Sequence, residues 1–392
     1  MSILNIDKIL TELRNYYRDG TNSLLFRNSP VFKSLGKTTI SDNKYCYSVL
    51  YGDGGSASGN YDDAKDKALK NNKFTDITVP CKELYGSYFV DSTSIKDQTE
   101  TEVIHGAELF IATESLRKLI ATSFYGMGYG EFFKVKKEIA TKSGIMNNVQ
   151  LSEESIMSIH VGTTFQGTIE SGFPGNRLGK SINVITNISE NVITFSATEN
   201  EVYPENSYLC ISGCRDTDGT PLLPQGLSAW VPSIYERKDE KWDRYIENDF
   251  NGLKRSKDIK RLAGEFIIQA ENEKISDCIK RLYRLVYRSG SKPNVIAIND
   301  RVYAALLKEL TPGYYKKETS QKESQNTSID LDFASQYLDY IIEDPYCPSD
   351  LIYIFDNDKI EFVFFNQKRK MFFRRIKMIR VYILVPYYVL KE

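Results

Sequence analysis

Two stretches of this chain alternate between polar and apolar residues with the period of two that marks a half-buried β-strand: 38–50 and 74–92. The second carries Phe74, Asp76, Thr78, Val79, Leu84, Tyr88 and Val90. Its alternation breaks around Pro80, which predicts an edge position or a bulge there. Between the two runs lies Gly52-Asp53-Gly54-Gly55-Ser56-Ala57-Ser58-Gly59-Asn60, the composition of a turn, and then a polar stretch, 61–72, that reads as a short helix. Together they predict a long, Gly-tipped hairpin. Few apolar residues sit near its tip, and a two-stranded ribbon alone is marginal in water, so the expected support is a second copy of the same chain.

The period then changes to that of a helix. Val103, Ala107, Phe110, Ile111, Leu119, Ile120 and Phe124 form one apolar side over 99–125, roughly 40 Å of helix at about 1.5 Å per residue. Thr99 with Glu102 predicts a capping box, and the acidic first turn suits the helix dipole. Tyr125-Gly126-Met127-Gly128-Tyr129-Gly130 supplies the stop. Upstream, Ile6, Ile9, Leu10, Leu13 and Tyr17 share one face of a short helix over 6–17, in a segment that ends extended at Pro30-Val31-Phe32. A terminal helix with a single apolar stripe needs a surface to lie on.

Downstream, short strands over 159–164, 182–186, 192–196 and 208–211 predict a small barrel or sandwich, with Gly172-Phe173-Pro174-Gly175-Asn176 as one of its loops. A second long helix is predicted over 265–289, carrying Phe266, Ile267, Ala270, Ile275, Ile279, Leu282, Leu285 and Val286. Then come a strand at 295–298, Asn299-Asp300 as the cap of a helix over 301–310, and a polar loop at 316–328. Strands follow at 329–333, 340–343 and 351–355, before a strongly β tail at 371–390. This mixture marks an α+β protein.

Composition narrows the classes. The 392 residues suffice for two or three domains, and 41% hydrophobic with 26% charged residues describes a folded globular chain. With 51 basic and 52 acidic residues the net charge is −1, which argues against a dedicated nucleic-acid binder. The longest apolar run, 381–390, is too short to span a bilayer, so no membrane partner is expected. The first residues lack the basic region and cleavage site of a secretory signal.

The chemistry of an enzyme is not evident. Of six cysteines only Cys210 and Cys214 are near each other, and the two histidines, His105 and His160, are far apart, so buried reduced thiols are expected in place of a metal site. Gly126-x-Gly128-x-Gly130 follows a helix and reads as a turn, not a phosphate loop. Neither a Walker A sequence nor a G-x-S-x-G elbow occurs. Asp356-Asn357-Asp358 reads as a hairpin turn before a cation site, His105 as a packed or capping residue, and Glu153-Glu154 as helix-start acids. No catalytic residue, metal or cofactor is expected. Lys368, Arg369, Lys370, Arg374, Arg375, Lys377 and Arg380 have no acid among them; they read as one charged face of a strand, directed at nucleic-acid phosphates or at acids of a neighbouring subunit.

The order of these elements resembles the HK97-fold major capsid proteins of tailed bacteriophages. Lys82-Glu83-Leu84-Tyr85-Gly86-Ser87-Tyr88-Phe89-Val90 looks like the second strand of that family's extended loop (E-loop), and 101–124 with Tyr125-Gly126-Met127-Gly128 like its spine helix and following turn. Asn251-Gly252-Leu253-Lys254-Arg255-Ser256 is similar to the segment leaving the insertion, Ser291-Lys292-Pro293-Asn294-Val295-Ile296-Ala297-Ile298-Asn299 to the axial-domain strand, and 339–356, with Ile342-Glu343-Asp344-Pro345-Tyr346-Cys347-Pro348, to its late strand pair. The resemblance implies an α+β, HK97-like fold: an N-terminal arm (1–36), the extended hairpin (37–98), and a peripheral domain (99–150, 226–264 and 365–392) with the spine helix at 99–125. A small all-β insertion (151–225) and a mixed α/β axial domain (265–364) complete it.

It also implies a structural role: self-assembly into hexamers and pentamers of an icosahedral shell around viral double-stranded DNA. The place is the virion, assembled in the host bacterial cytoplasm, with portal and decoration or auxiliary proteins as further partners. The implied interface residues are Gly52, Asp53, Gly54, Gly55 and Gly59 at the loop tip, Ile6, Ile9, Leu13 and Tyr17 on the arm, and Lys368, Arg369, Lys370, Arg374 and Arg375 toward DNA or a neighbour. Two alternatives stand beside it: an encapsulin-like compartment shell, and a ligand- or glycan-binding protein using the β-insertion or a pocket around Trp230.

Overall fold

The computed structural model describes residues 30–52, 57–68, 73–88, 98–169, 177–197, 199–216, 219–231, 240–270, 273–288, 292–310, 340–365 and 377–383. The helix expected over 6–17, the loops at 172–176 and 316–328, the strand at 329–333 and the cations at 368–375 lie outside them.

The chain enters through a helical turn, α1 (Pro30–Ser34), and strand β1 (Gly36–Ile40). Val31 and Leu35 are buried in the main core, so this end of the expected arm is anchored in the body and is helical instead of extended. The hairpin follows as β2 (Lys44–Gly52), α2 (Tyr61–Ala68) and β3 (Lys73–Pro80), and the chain continues into β4 (Lys82–Tyr88). The break foreseen at Pro80 is real: β3 and β4 belong to different sheets. The hairpin is therefore shorter than its sequence pattern suggests.

Helix α3 (Gln98–Tyr125) is the expected long helix, about 42 Å at ~1.5 Å per residue. It includes Gln98, which puts Thr99 inside the first turn instead of at the cap. Its buried residues are Ala112, Leu116, Ile120, Ala121, Phe124 and Tyr125, while Ile111 is exposed. Thr113, Arg117 and Ser123 are buried too, so this half of the helix is covered around most of its circumference. A helix packed on several sides has no single stripe, which is why periodicity mislabelled Ile111.

Glycines at φ +92° (Gly128) and +73° (Gly130) turn the chain out of α3, a turn as expected. Strands β5 (Glu131–Lys134), β6 (Ile139–Ala140) and β7 (Met146–Gln150), helix α4 (Glu153–Met157), and strands β8 (Thr164–Thr168), β9 (Arg177–Ser189), β10 (Val192–Ser196), β11 (Val202–Tyr203) and β12 (Tyr208–Ile211) follow. Six of them hydrogen-bond into one sheet in the order β5-β12-β8-β9-β10-β7, and β6 and β11 form a separate pair whose Ile139 and Tyr203 pack into the same core. The sheet includes residues 131–134 and 146–150. The stretch expected as a strand at 159–164 is mostly a turn after α4, with Ile159 buried. Phe165, Ile185, Ile193, Phe195, Tyr203 and Leu209 fill the covered face.

The chain returns through α5 (Leu227–Trp230), α6 (Glu240–Glu247), the small pair β13 (Asp249–Phe250) and β14 (Leu253–Lys254), and α7 (Ile259–Leu262). Helix α8 (Ile275–Arg288) starts ten residues later than the expected 265. Its first N–H groups, on Ile275 and Ser276, donate to the Glu309 carboxylate at 2.8 and 3.1 Å, a cap brought from another helix that no local pattern reveals. Strand β15 (Val295–Ile298), helix α9 (Asp300–Leu310), and strands β16 (Tyr340–Glu343), β17 (Tyr353–Phe355), β18 (Glu361–Phe365) and β19 (Lys377–Ile383) complete the order. Asn299 caps α9 as expected, its Oδ1 accepting from Arg301 N at 3.0 Å.

The sheet β16-β15-β17 is the middle of three layers. Val295, Ala297, Ile342 and Phe355 face the core shared with α3, whereas Ile296, Ile298, Ile341 and Ile354 face α8 and α9. Strand β15 is buried on both sides, as an uninterrupted Val-Ile-Ala-Ile requires. Asp356-Asn357-Asp358 sits at a corner: β17 pairs with β15 while β18 pairs in parallel with β1, so no hairpin joins them. Strand β18 thus belongs with β1 and not with the β16-β15-β17 sheet.

Candidate functional site

The ribbon is the most distinctive surface, and its register explains its two faces. Strands β2 and β3 are antiparallel, with Tyr45 opposite Val79, Tyr47 opposite Ile77 and Val49 opposite Thr75. Val49, Ile77 and Val79 are buried against Trp230, Leu253, Leu262 and Val363, and Thr75 is buried on the same face. The alternate positions, Cys46 opposite Thr78 and Ser48 opposite Asp76, face solvent, and Phe74 is 55% exposed. This corrects the expectation that only a second copy could support the ribbon: its base lies on its own chain along one face.

The seat is the Asn251-Gly252 turn between β13 and β14. Both residues have left-handed backbone (φ 55° and 89°), the geometry of a two-residue hairpin for which Asn-Gly is suited. Thr78 N donates to Asn251 O at 2.9 Å, and a Cβ on Gly252 would meet Asp76 O at 2.8 Å. Lys257 Nζ donates to Thr75 Oγ1 at 3.2 Å. The Tyr45 hydroxyl is pushed up by burial first and Glu361 second.

At the far end, Gly52 closes β2 opposite Lys73. Gly59 is exposed with open space around its Cα, and Tyr61, opening α2, is 79% exposed. Asp53, Gly54 and Gly55 lie outside the described residues, as do Ile6, Ile9, Leu13 and Tyr17 and the cations Lys368, Arg369, Lys370, Arg374 and Arg375. Beyond the ribbon, β4 packs on α3 where Gly86 meets Leu116, and β19 pairs antiparallel with β4 along 82–88.

The sequence pattern missed Arg255. It is 2% exposed, its guanidinium 3.9 Å from the Tyr245 ring centre and 4.4 Å from that of Phe250, beneath the ribbon seat. Nothing local marks an arginine for burial; the two rings reach it only in the folded state.

The side chain of His105 lies outside the described residues. His160 has its Nε2 buried without a hydrogen-bond partner, and its pKa is lowered by burial and by Lys118. Cys210 and Cys214 are buried free thiols, each pushed up to about 12, chiefly by burial. Among the described residues no group of three His, Cys, Asp or Glu side chains gathers to hold a metal, and no helix is long and apolar enough to cross a membrane. Trp230 is core, 2% exposed with Nε1 donating to Gln225 O at 3.1 Å, so its ring is not the wall of an open pocket. A groove of ≈ 300 Å³ does exist elsewhere, lined by Phe266, Ile268, Cys278, Leu282 and Leu351, but its walls are mainly apolar.

No family model and no curated protein matches the chain. Among solved structures it is similar to a cyanophage A-1(L) capsid asymmetric unit: 10% identity over 91% of this chain and 88% of that one, with a TM-score of 0.43. It is also similar to the capsid of bacteriophage JBD30, at 8% identity over 81% and 91% of the two chains and a TM-score of 0.25.

Proposed function

We propose that this chain is a shell subunit: a major capsid protein that assembles into hexamers and pentamers of an icosahedral particle around double-stranded DNA. The observation that carries the reading is the one-sided ribbon. Its inner face is seated on its own body through Ile77 and Val79, while its outer face and its α2 tip, with Phe74 55% and Tyr61 79% exposed, are left uncovered by the described residues. A ribbon held at its base and bare on its outer side suits a contact completed by a neighbour, and a symmetric shell repeats that contact at every subunit. The arm residues Ile6, Ile9, Leu13 and Tyr17 and the tip residues Gly52, Asp53, Gly54, Gly55 and Gly59 are the proposed partners in it.

Negative-stain microscopy and light scattering of the expressed chain test this. Rings of five or six subunits, or closed shells, are the expected result. A monomer that persists across protein concentration and salt overturns it.

A further inference from the structure

The layer formed by α8 and α9 covers one side of the β16-β15-β17 sheet, opposite α3. The outward ridge of α8 is Lys274, Asp277, Arg281, Arg284 and Arg288, at the spacing that keeps side chains on one face. All five are exposed. Helix α9 adds exposed Arg301 and Lys308, and Lys292, before β15, is exposed too. Acids on this layer are fewer than its cations, and exposed Asp300, at the start of α9, accepts from Arg301 N at 2.9 Å. Asp277 pairs with Lys280 at 3.3 Å, Glu273 holds Arg281 at 2.8 Å, and Glu309 caps α8. Lys274, Arg284, Arg288, Lys292 and Lys308 have no ion pair with any described residue. On a chain of net charge −1, this is a strong local excess of positive charge.

We infer that this outer face of α8 and α9 is a contact surface for the phosphate backbone of duplex DNA. Arginine predominates on the α8 ridge, and its planar fork matches phosphate oxygens better than an ammonium does. Tyr287, 55% exposed beside Arg284 and Arg288, brings a hydroxyl of the kind that donates to phosphates. Its ring runs nearly parallel to that of Tyr283, 6.2 Å between centres and 16° between planes. Lysine and arginine spread over two helices meet phosphates, which every sequence presents alike, so the contact is independent of sequence. The inference rests on the shell reading only for its consequence, that this face points toward the enclosed DNA; the binding itself does not need assembly.

The experiment is fluorescence anisotropy of the full chain with a labelled duplex of about 30 base pairs and a single strand of equal length, across salt, with light scattering on the same samples. Neutralising about four phosphates makes affinity fall on the order of 10²-fold between about 50 and 200 mM salt. Arg284→Glu with Arg288→Glu is expected to weaken duplex binding at least tenfold and to reduce the salt slope by about 2. Lys136→Glu with Lys137→Glu makes the same charge change on an exposed turn of the six-stranded sheet domain and should leave binding within about twofold. Equal losses in the two variants overturn the assignment to this face. So do an absence of duplex binding, a single strand bound much more tightly than the duplex, or a change in subunit association alone on reversing Arg284 and Arg288. Assembly is read separately, so the shell reading and this inference can fail independently.

Discussion

Arg255 lies with its guanidinium 3.9 Å from the centre of the Tyr245 ring, and its Nη1 donates to the Tyr245 backbone carbonyl at 3.4 Å while Nη2 donates to Ala229 O at 2.8 Å. One side chain thus ties α5, α6 and the β13–β14 seat together. Removing it leaves buried carbonyls without donors and two rings without their cation. Arg255→Ala should cost roughly 3 kcal/mol or more in urea unfolding, and Arg255→Lys less, because it keeps the charge and loses the fork. A loss below about 1 kcal/mol for the alanine variant would show that the cluster is incidental.

Gly226 sits where α3 ends: its N–H donates to Gly126 O at 3.0 Å, and a Cβ there would collide with the carbonyl oxygens of Ser123 and Phe124. Backbone atoms cannot swing aside as a flexible side chain can. Gly226→Ala should lower stability by about 3 kcal/mol, whereas Gly59→Ala, with open space at its Cα, should change it by less than about 0.5 kcal/mol. Thermal melts of the two variants check the contrast.

The ribbon's faces should separate folding from association. Ile77, 0% exposed, should cost about 2–5 kcal/mol when cut to alanine. Phe74→Ala on the open face should leave the unfolding free energy within about 1 kcal/mol and, under the shell reading, reduce assembly measured by light scattering. Undiminished assembly in the Phe74 variant would remove this face from the contact.

Alkaline pH should unfold the chain earlier than neutral pH alone would suggest. Cys210 and Cys214 are pushed up to about 12 from an ordinary 9.0, burial being the main cause, and burial also raises the Tyr203 and Tyr353 hydroxyls. The folded state keeps these protons after the unfolded chain has begun to lose them. Their contribution is therefore complete below pH ~9 and declines between about 9 and 12. Urea midpoints across that range should fall steadily. At pH ~8 a thiol reagent should modify exposed Cys46 rapidly and Cys210 and Cys214 only on unfolding.

The α8 cap makes a local claim. Replacing Glu309 by alanine should cost about 1–2 kcal/mol and speed amide exchange at Ile275 and Ser276, which would lose their acceptor. Unchanged exchange at those two amides would show that water replaces the carboxylate without loss.

Local chemistry alone determined much of this protein. Strands 192–196, 208–211, 295–298 and 340–343, the Gly-stopped long helix, and the Asn299 cap are all legible in the sequence because neighbouring residues supply their period, their cap or their turn. What the sequence left open depends on partners far along the chain. Strand β4 pairs with β19, β1 pairs with β18, and Glu309 sets where α8 begins. The ribbon shows the difference most plainly. Its alternation declares one apolar face, but only the folded chain brings Trp230, Leu253, Leu262 and Val363 beneath that face. Burial is a property of contacts between distant segments, and a one-dimensional pattern carries the demand for a covering surface without naming what supplies it.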